Sequence, residues 1–166
     1  MQSSRAKLWS VLALVAPALF VASCRRHHGP QSIIRMSDLH TQNQLMSGFY
    51  SLEAGAWRWT GKTFQVSLKV PDGGGSKGAV LTLQGTVPPE SLSNGQFEIN
   101  STIGDTQLAP QSFTKAGEVI YRAEVPPSAL AQPIAVATFT VSSTHRVPGD
   151  ERDLGMIASV ISLRSK

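Results

Sequence analysis

The side chains best suited to binding are concentrated in two short segments, residues 48–62 and residues 150–155. The first segment contains two of the three tryptophans and one of the two tyrosines. Aromatic faces stack on the apolar faces of sugar rings, and charged groups beside them can hydrogen-bond the hydroxyls, in keeping with sites that are mostly apolar. The candidate ligand-binding residues are Tyr50, Glu53, Trp57, Arg58, Trp59 and Arg152.

The same residues also have a structural interpretation. On a strand, Trp57 and Trp59 point to one face and Arg58 to the other. Two tryptophans on one face are usually part of a hydrophobic core, which makes this the preferred interpretation. Arg58 would then pair with Glu53 or stack over an aromatic ring, and Arg152 would form an ion pair that holds the final strand. The sequence leaves a ligand-binding surface open as the alternative.

Residues 73–78 match two motifs of nucleotide-binding and catalytic sites, G-x-G-x-x-G and G-x-S-x-G. The first requires a helix to follow, and the second a strand-to-helix turn in an α/β sheet. Here we expect a flexible glycine loop with a strand beginning at Ala79. Ser76 of the second motif, Asp105 and His145 stand in the chain order of a hydrolase triad. However, no acid–base pair and no cluster of metal ligands stands at a recognisable spacing. The sequence therefore predicts a protein that is not an enzyme and uses no cofactor and no metal.

The start of the chain has the pattern of a processing signal. Arg5 and Lys7 precede a largely apolar run at residues 8–21, and small residues lead to Cys24. The apolar run is shorter than the roughly 20 residues that a membrane-spanning helix needs. We therefore predict a signal peptide over residues 1–23.

Residues 21–24, Val-Ala-Ser-Cys, resemble the bacterial lipobox. In that family a lipid is added to the cysteine sulfur, cleavage occurs before the cysteine, and the new amino group is acylated. The resemblance implies that Cys24 is the lipid attachment site of a protein anchored in the bacterial cell envelope, and several acyl chains give stable anchoring. Arg25 stands where lipoproteins retained at the inner membrane carry aspartate in enteric-type bacteria, which favours the outer membrane.

Residues 24–44 are polar and have no sustained period, so we predict a lipidated, flexible tether. Ile33 and Ile34 form an isolated apolar pair within it. A short helix is possible over residues 36–46, with Ser37 or Asp38 as its cap. The folded domain is then expected over residues 45–166.

Residues 45–166 alternate between apolar and polar side chains, the pattern of half-buried strands. Glycine and proline clusters separate the alternating segments and end the strands. This spacing predicts an all-β fold, a two-sheet antiparallel β-sandwich of jelly-roll or Ig-like type with about eight strands. The predicted strands lie near residues 48–52, 56–60, 64–70, 81–87, 97–103, 119–125, 134–141 and 156–163.

The two segments with candidate binding residues resemble the accessory β-sandwich domains of bacterial cell-envelope and glycan-related proteins. Those domains often open with an aromatic and acidic stretch before an Arg-Trp element, and close with Arg-x-Leu-Gly before an aliphatic strand. The resemblance implies a jelly-roll-like fold and carbohydrate binding. The matching residues are Tyr50, Glu53, Trp57, Arg58 and Trp59, followed by Arg152, Leu154 and Gly155.

The charge distribution limits the partners of the predicted domain. The whole chain has a formal net charge of +4, but residues 45–166 contain ten basic and ten acidic residues. The basic excess lies in the signal and the tether, where it suits export and anionic headgroups. A neutral domain has no basic surplus for nucleic acid, so we expect no nucleic-acid partner.

These observations predict a cell-envelope lipoprotein that reaches the membrane through Cys24. Its non-catalytic β-sandwich is expected to bind a glycan or another envelope component. The alternative is a structural or assembly protein that docks on another envelope protein, for example through an exposed sheet edge.

Overall fold

The computed structural model describes residues 29–166, so the predicted signal peptide and Cys24 lie outside the described residues. The described part contains ten strands: β1 (Ile33–Arg35), β2 (Leu45–Glu53), β3 (Trp57–Lys69), β4 (Ala79–Val87), β5 (Phe97–Ile103), β6 (Thr106–Gln107), β7 (Gln111–Phe113), β8 (Gly117–Val125), β9 (Ile134–Val141) and β10 (Ile157–Ser165). It also contains a one-turn helix, α1 (Gly74–Lys77), and 3-10 helices at Leu39–Gln44, Pro89–Ser91 and Pro127–Leu130.

The strands form two facing layers of antiparallel sheet. Strands β1, β10, β4 and β8 make one layer, and β2, β3, β9 and β5 make the other, with β6 and β7 paired to β5. Tyr121 on β8 reaches across the layers, with its ring 6.0 Å from that of Phe139 and its hydroxyl 2.7 Å from Ser101 Oγ. The predicted all-β, antiparallel sandwich is confirmed.

The strand count differs from the prediction of about eight for two reasons. Strands β1, β6 and β7 are two or three residues long, which is too short to show an alternating pattern. In addition, residues 56–60 and 64–70, which were predicted as two strands, belong mainly to the single long strand β3.

The core lies between the layers and follows the predicted alternation. On β4 and β5, inward side chains such as Leu81, Leu83, Phe97 and Ile99 are fully buried, while their neighbours are partly exposed. Phe64 stacks on Phe139 with ring centroids 5.1 Å apart. Burial of these apolar side chains is the main favourable contribution to folding.

Strand β3 joins the two layers at Thr60. Its first residues pair with the start of β10, at Trp59 with Ile157 and at Arg58 with Ala158. After Thr60, β3 separates from β10 and pairs with β9 over residues 63–69. The edge of β10 that β3 leaves is then taken by β1, which pairs with residues 160–162.

The predicted tether over residues 24–44 is wrong for its second half, because the chain is packed from Gln31 onward. Lys69 N donates to Gln31 O at 3.0 Å, and Leu163 N donates to Ser32 O at 2.8 Å. Ile34 and Met36 are 0% and 1% exposed. The apolar pair at Ile33 and Ile34 is therefore a core strand, and the folded domain begins well before residue 45.

The segment between β1 and β2 is also ordered by specific hydrogen bonds. The predicted short helix is a 3-10 helix whose cap is Asp38, which accepts from His40 N at 2.9 Å. The buried amide of Gln44 bonds both backbone groups of Gln31 and donates to Ser67 O at 2.7 Å. Within residues 29–166, no helix has the length and apolarity needed to cross a bilayer.

This corrected boundary predicts a large effect for Ile34→Ala. Removing a fully buried isoleucine side chain should lower the free energy of unfolding by about 2–5 kcal/mol, measured by urea denaturation. Leu39→Ala is the matched control, because Leu39 is 63% exposed, and its effect should stay within about 0.5 kcal/mol. Equal, small effects of both variants would contradict the packing of residues 31–36.

Candidate functional site

Trp57 and Trp59 lie on the outer face of β3, where both are partly exposed. Their rings meet edge to face, with centroids 6.0 Å apart and planes at 87°. His145, from the loop over residues 143–155, extends the row with its ring 5.6 Å from that of Trp59. We call Trp57, Trp59 and His145 the aromatic row. The preferred interpretation of the tryptophans as core residues is therefore wrong, because the inner face of this stretch carries Arg58 and Thr60 instead.

Hydrogen bonds hold the His145 ring in one orientation. Its Nδ1 lies 2.8 Å from Ser91 Oγ, and Ser91 Oγ donates to Gly155 O at 2.8 Å. A hydroxyl has one proton, and a carbonyl oxygen can only accept. His145 Nδ1 must therefore carry a proton and donate to Ser91, which leaves Nε2 of the neutral ring as a hydrogen-bond acceptor.

The contact between Ser91 and His145 is not that of a catalytic nucleophile and its base. Ser91 is fully buried, and its hydroxyl proton is already committed to Gly155 O. A histidine that donates to the hydroxyl through Nδ1 cannot take a proton from it through the same atom. No carboxylate among residues 29–166 bonds this histidine, so the pair positions the ring.

Arg152 connects the loop to the β2–β3 hairpin. Its guanidinium pairs with Asp150 at 2.7 Å and with Glu53 at 2.7 Å, and lies over the Tyr50 ring at 5.3 Å. The hydrogen bond to Arg152 holds the pKa of Asp150 below its usual value, and both carboxylates raise the pKa of Arg152. The predicted ion-pair role of Arg152 fits this geometry. The pairing with Glu53 and the aromatic contact that we expected for Arg58 belong to Arg152.

A second ion pair fixes the same loop. Arg146 Nε and Nη2 donate to the two carboxylate oxygens of Asp153 at 2.6 and 3.1 Å, which lowers the pKa of that carboxyl group. Tyr50 Oη donates to Asp153 O at 3.1 Å. The loop therefore contacts Tyr50 of the hairpin at two points, the face of the ring and the hydroxyl group.

Arg58 does not belong to this outer surface. Its side chain points to the inner face of β3, is 9% exposed, and donates from Nη1 to Tyr50 O at 2.9 Å. Of the six predicted ligand-binding residues, Arg152 contacts Glu53 and Tyr50, Glu53 is paired with Trp57 across the hairpin, and Trp57 contacts Trp59. Arg58 is placed elsewhere. The spacing of β3 required this, since adjacent residues alternate across a strand.

The glycine-rich segment does not form a catalytic site. The expected flexible loop contains the one-turn helix α1 instead, and β4 begins at Ala79 as predicted. Ser76 Oγ donates to Gly73 O at 3.0 Å, whereas His145 bonds Ser91. The hydrolase-like order of Ser76, Asp105 and His145 is therefore not matched by contacts in the structure.

Sequence reasoning missed Ser91 and the place of His145 in the aromatic row. Ser91 ends the 3-10 helix after a pair of prolines, and 54 residues separate it from His145. No local pattern connects two such positions. Among residues 29–166, no group of three or more His, Cys, Asp or Glu side chains could hold a metal ion.

Comparisons with known proteins add little to this geometry. A scan against protein-family models found no match, and a search of the curated proteins found none either. One solved structure, described as "CBM4 structure and function", is 10% identical with a TM-score of 0.38 and covers 81% of this chain and 85% of that chain. The two structures are too dissimilar at this TM-score to compare their ligands or activities.

The ion pairs predict an acid-dependent loss of stability. The carboxyl groups of Asp150 and Asp153 have pKa values below their usual 3.8, so they stabilise the fold above that pH and lose this contribution as the pH falls through the lowered values. Asp150→Asn should lower the melting temperature at neutral pH and flatten its decline between about pH 5 and about pH 2, measured by circular dichroism. Asp72→Asn, which removes an exposed carboxylate without an ion pair in residues 29–166, should follow the wild-type curve. Parallel curves for wild type and Asp150→Asn would contradict this role.

Proposed function

We propose that this protein is a non-catalytic, glycan-binding lipoprotein of the bacterial cell envelope. The observation that carries the proposal is the aromatic row of Trp57, Trp59 and His145, which is partly exposed on the outer face of a rigid sheet. Tryptophan is enriched at interfaces because it combines a large apolar face with a polar N–H group, and such faces suit the apolar faces of sugar rings.

The angle between the tryptophan rings restricts the shapes of ligand that could contact both of them. Their planes are 87° apart, so both cannot lie flat against one plane. The row would instead hold a single glycan chain that turns between two neighbouring sugar units. We therefore expect binding of separate chains rather than of a flat surface of packed chains.

The polar groups beside the row are fixed before any ligand arrives. His145 is oriented by Ser91, and Arg152 is held by Glu53 and Asp150. Groups that are already ordered lose little conformational entropy on binding, which favours affinity and selectivity. His145 Nε2 and the carboxylate oxygens of Glu53 and Asp150 can accept hydrogen bonds from sugar hydroxyls.

The anchor in this proposal is Cys24, on the basis of its lipobox-like context. Gln31, where the packed domain begins, is the seventh residue after Cys24. A fully extended segment of this length reaches about 25 Å. The sandwich would thus stay close to the membrane, with the outer membrane as the favoured location.

The aromatic row predicts that Trp57→Ala and Trp59→Ala each weaken glycan binding by at least about tenfold, or about 1.4 kcal/mol. Both side chains are partly exposed, so the variants should keep the wild-type circular dichroism spectrum. Binding is measured on an array of envelope glycans, and the affinity for the best ligand by isothermal titration calorimetry.

Ile120→Ala is the control for this experiment, because Ile120 is 51% exposed on β8, away from the row. It should bind like the wild type. A folded wild-type domain that binds no envelope glycan, or tryptophan variants that bind with unchanged affinity, would remove the proposal.

The anchor predicts that Cys24→Ser releases the protein from the membrane fraction into the soluble fraction of the envelope. A serine hydroxyl cannot replace the thiol that receives the lipid. The measurement is cell fractionation followed by immunoblotting, with Arg25→Ser as a neighbouring control that should stay with the membrane. Unchanged membrane association of Cys24→Ser would contradict lipidation at this residue.

A further inference from the structure

A second site lies on the other side of β3 from the aromatic row. A pocket of about 190 Å³ opens between the 3-10 helix at Leu39–Gln44 and the first half of β2. Its walls combine apolar side chains, two polar side chains and one cation. The lining residues are Gln42, Leu45, Met46, Ser47, Phe49 and Arg58.

Arg58 is a buried cation without a counter-ion. It is 9% exposed, makes a hydrogen bond from Nη1 to Tyr50 O, and has a buried Nε with no partner. No carboxylate among residues 29–166 forms an ion pair with it. A guanidinium offers five donors, and burying an ion without pairing it is costly.

The chain itself does not supply the missing anion. Glu53, the acidic residue of the same hairpin, is paired with Arg152. Residues 1–28, which lie outside the described part, contain neither aspartate nor glutamate. An anion that pairs with Arg58 would therefore come from another molecule.

We propose that this pocket binds a carboxylate attached to a small apolar group. The planar guanidinium matches a carboxylate in shape. Arg58 is the one charged residue in the lining, so it balances one negative charge and not the higher charge of a phosphate. Leu45, Met46 and Phe49 provide the apolar walls, while Ser47 and Gln42 offer hydrogen bonds at the mouth.

This site does not depend on the proposed glycan function. Trp57 and Trp59 line the outer face of β3, and Arg58 lines the inner face between them in sequence. Either site can therefore exist without the other. Binding at the two can be measured separately by altering one face at a time.

The test uses the full-length protein in a nonionic detergent and a carboxylate-free buffer of low ionic strength, with sodium butyrate as the probe. The melting temperature should rise and saturate with a midpoint in roughly the millimolar range, given the small size of the probe. In nitrogen-15-labelled protein, the Nε–H resonance of Arg58 should shift with the same midpoint. Butyramide, which has the same shape without the charge, should change neither quantity.

Four variants locate the effect. Arg58→Met should abolish the response to butyrate, and Trp57→Ala should retain it. Met46→Glu places a carboxylate at the mouth of the pocket, where the wild-type residue is 53% exposed, and should weaken butyrate binding at least tenfold. Met46→Gln, its neutral counterpart, also removes apolar wall but adds no charge, so it should weaken butyrate binding clearly less than Met46→Glu does.

Several results would overturn the proposal. They are an Arg58 resonance that does not move in the wild type, an equal response in folded Arg58→Met, or tighter binding of inorganic phosphate than of butyrate. If Arg58→Met does not fold, the wild-type resonance and the two Met46 variants decide the question. A loss of the response in folded Trp57→Ala would show that the two sites are not independent.

Discussion

The hydrogen bonds at Thr60 hold β3 against the start of β10, and the placement of both candidate sites depends on them. Thr60 N donates to Met156 O at 2.9 Å, and Gly155 N donates to Thr60 O at 2.7 Å. A β-carbon at Gly155 would lie 2.8 Å from the backbone oxygen of Gly61, so this approach requires glycine. The same contact sets where the 143–155 loop ends, and hence where His145 and Arg152 meet the hairpin.

Because side chains alternate between the two faces of β3, Trp57, Arg58 and Trp59 contribute to two surfaces with different chemistry. The outer surface presents aromatic rings, and the arginines beside them are paired with carboxylates of the loop and hairpin. The inner surface presents Arg58 to a pocket without a balancing charge. An aromatic surface without an unpaired arginine favours neutral ligands such as sugars, whereas an uncompensated buried cation favours an anion.

The sequence was sufficient for features that depend on local pattern and insufficient for those that depend on distant contacts. Period-2 alternation located β4, β5 and β8, because one face of each is buried against the other layer, and a largely apolar, β-branched run located β9. It missed β1, whose three residues are explained by pairing with β10 more than a hundred residues later. The spacing shows that Trp57 and Trp59 lie on one face of the strand and Arg58 on the other. Which of these two faces is buried depends on distant strands that pack against them. The link between Ser91 and His145 has no local signal at all.

The central position of β10 has a consequence for the order of folding. This strand, the farthest along the chain of the ten, pairs with β4 on one edge and with β3 and β1 on the other. The strand pairing that joins the two layers, β3 with β10, therefore cannot form until β10 has been synthesised, and the entropy of closing such long loops makes early pairing unfavourable. The pairs β4–β8 and β3–β9 can therefore form early, but they become parts of one sheet only when β10 is available to join them.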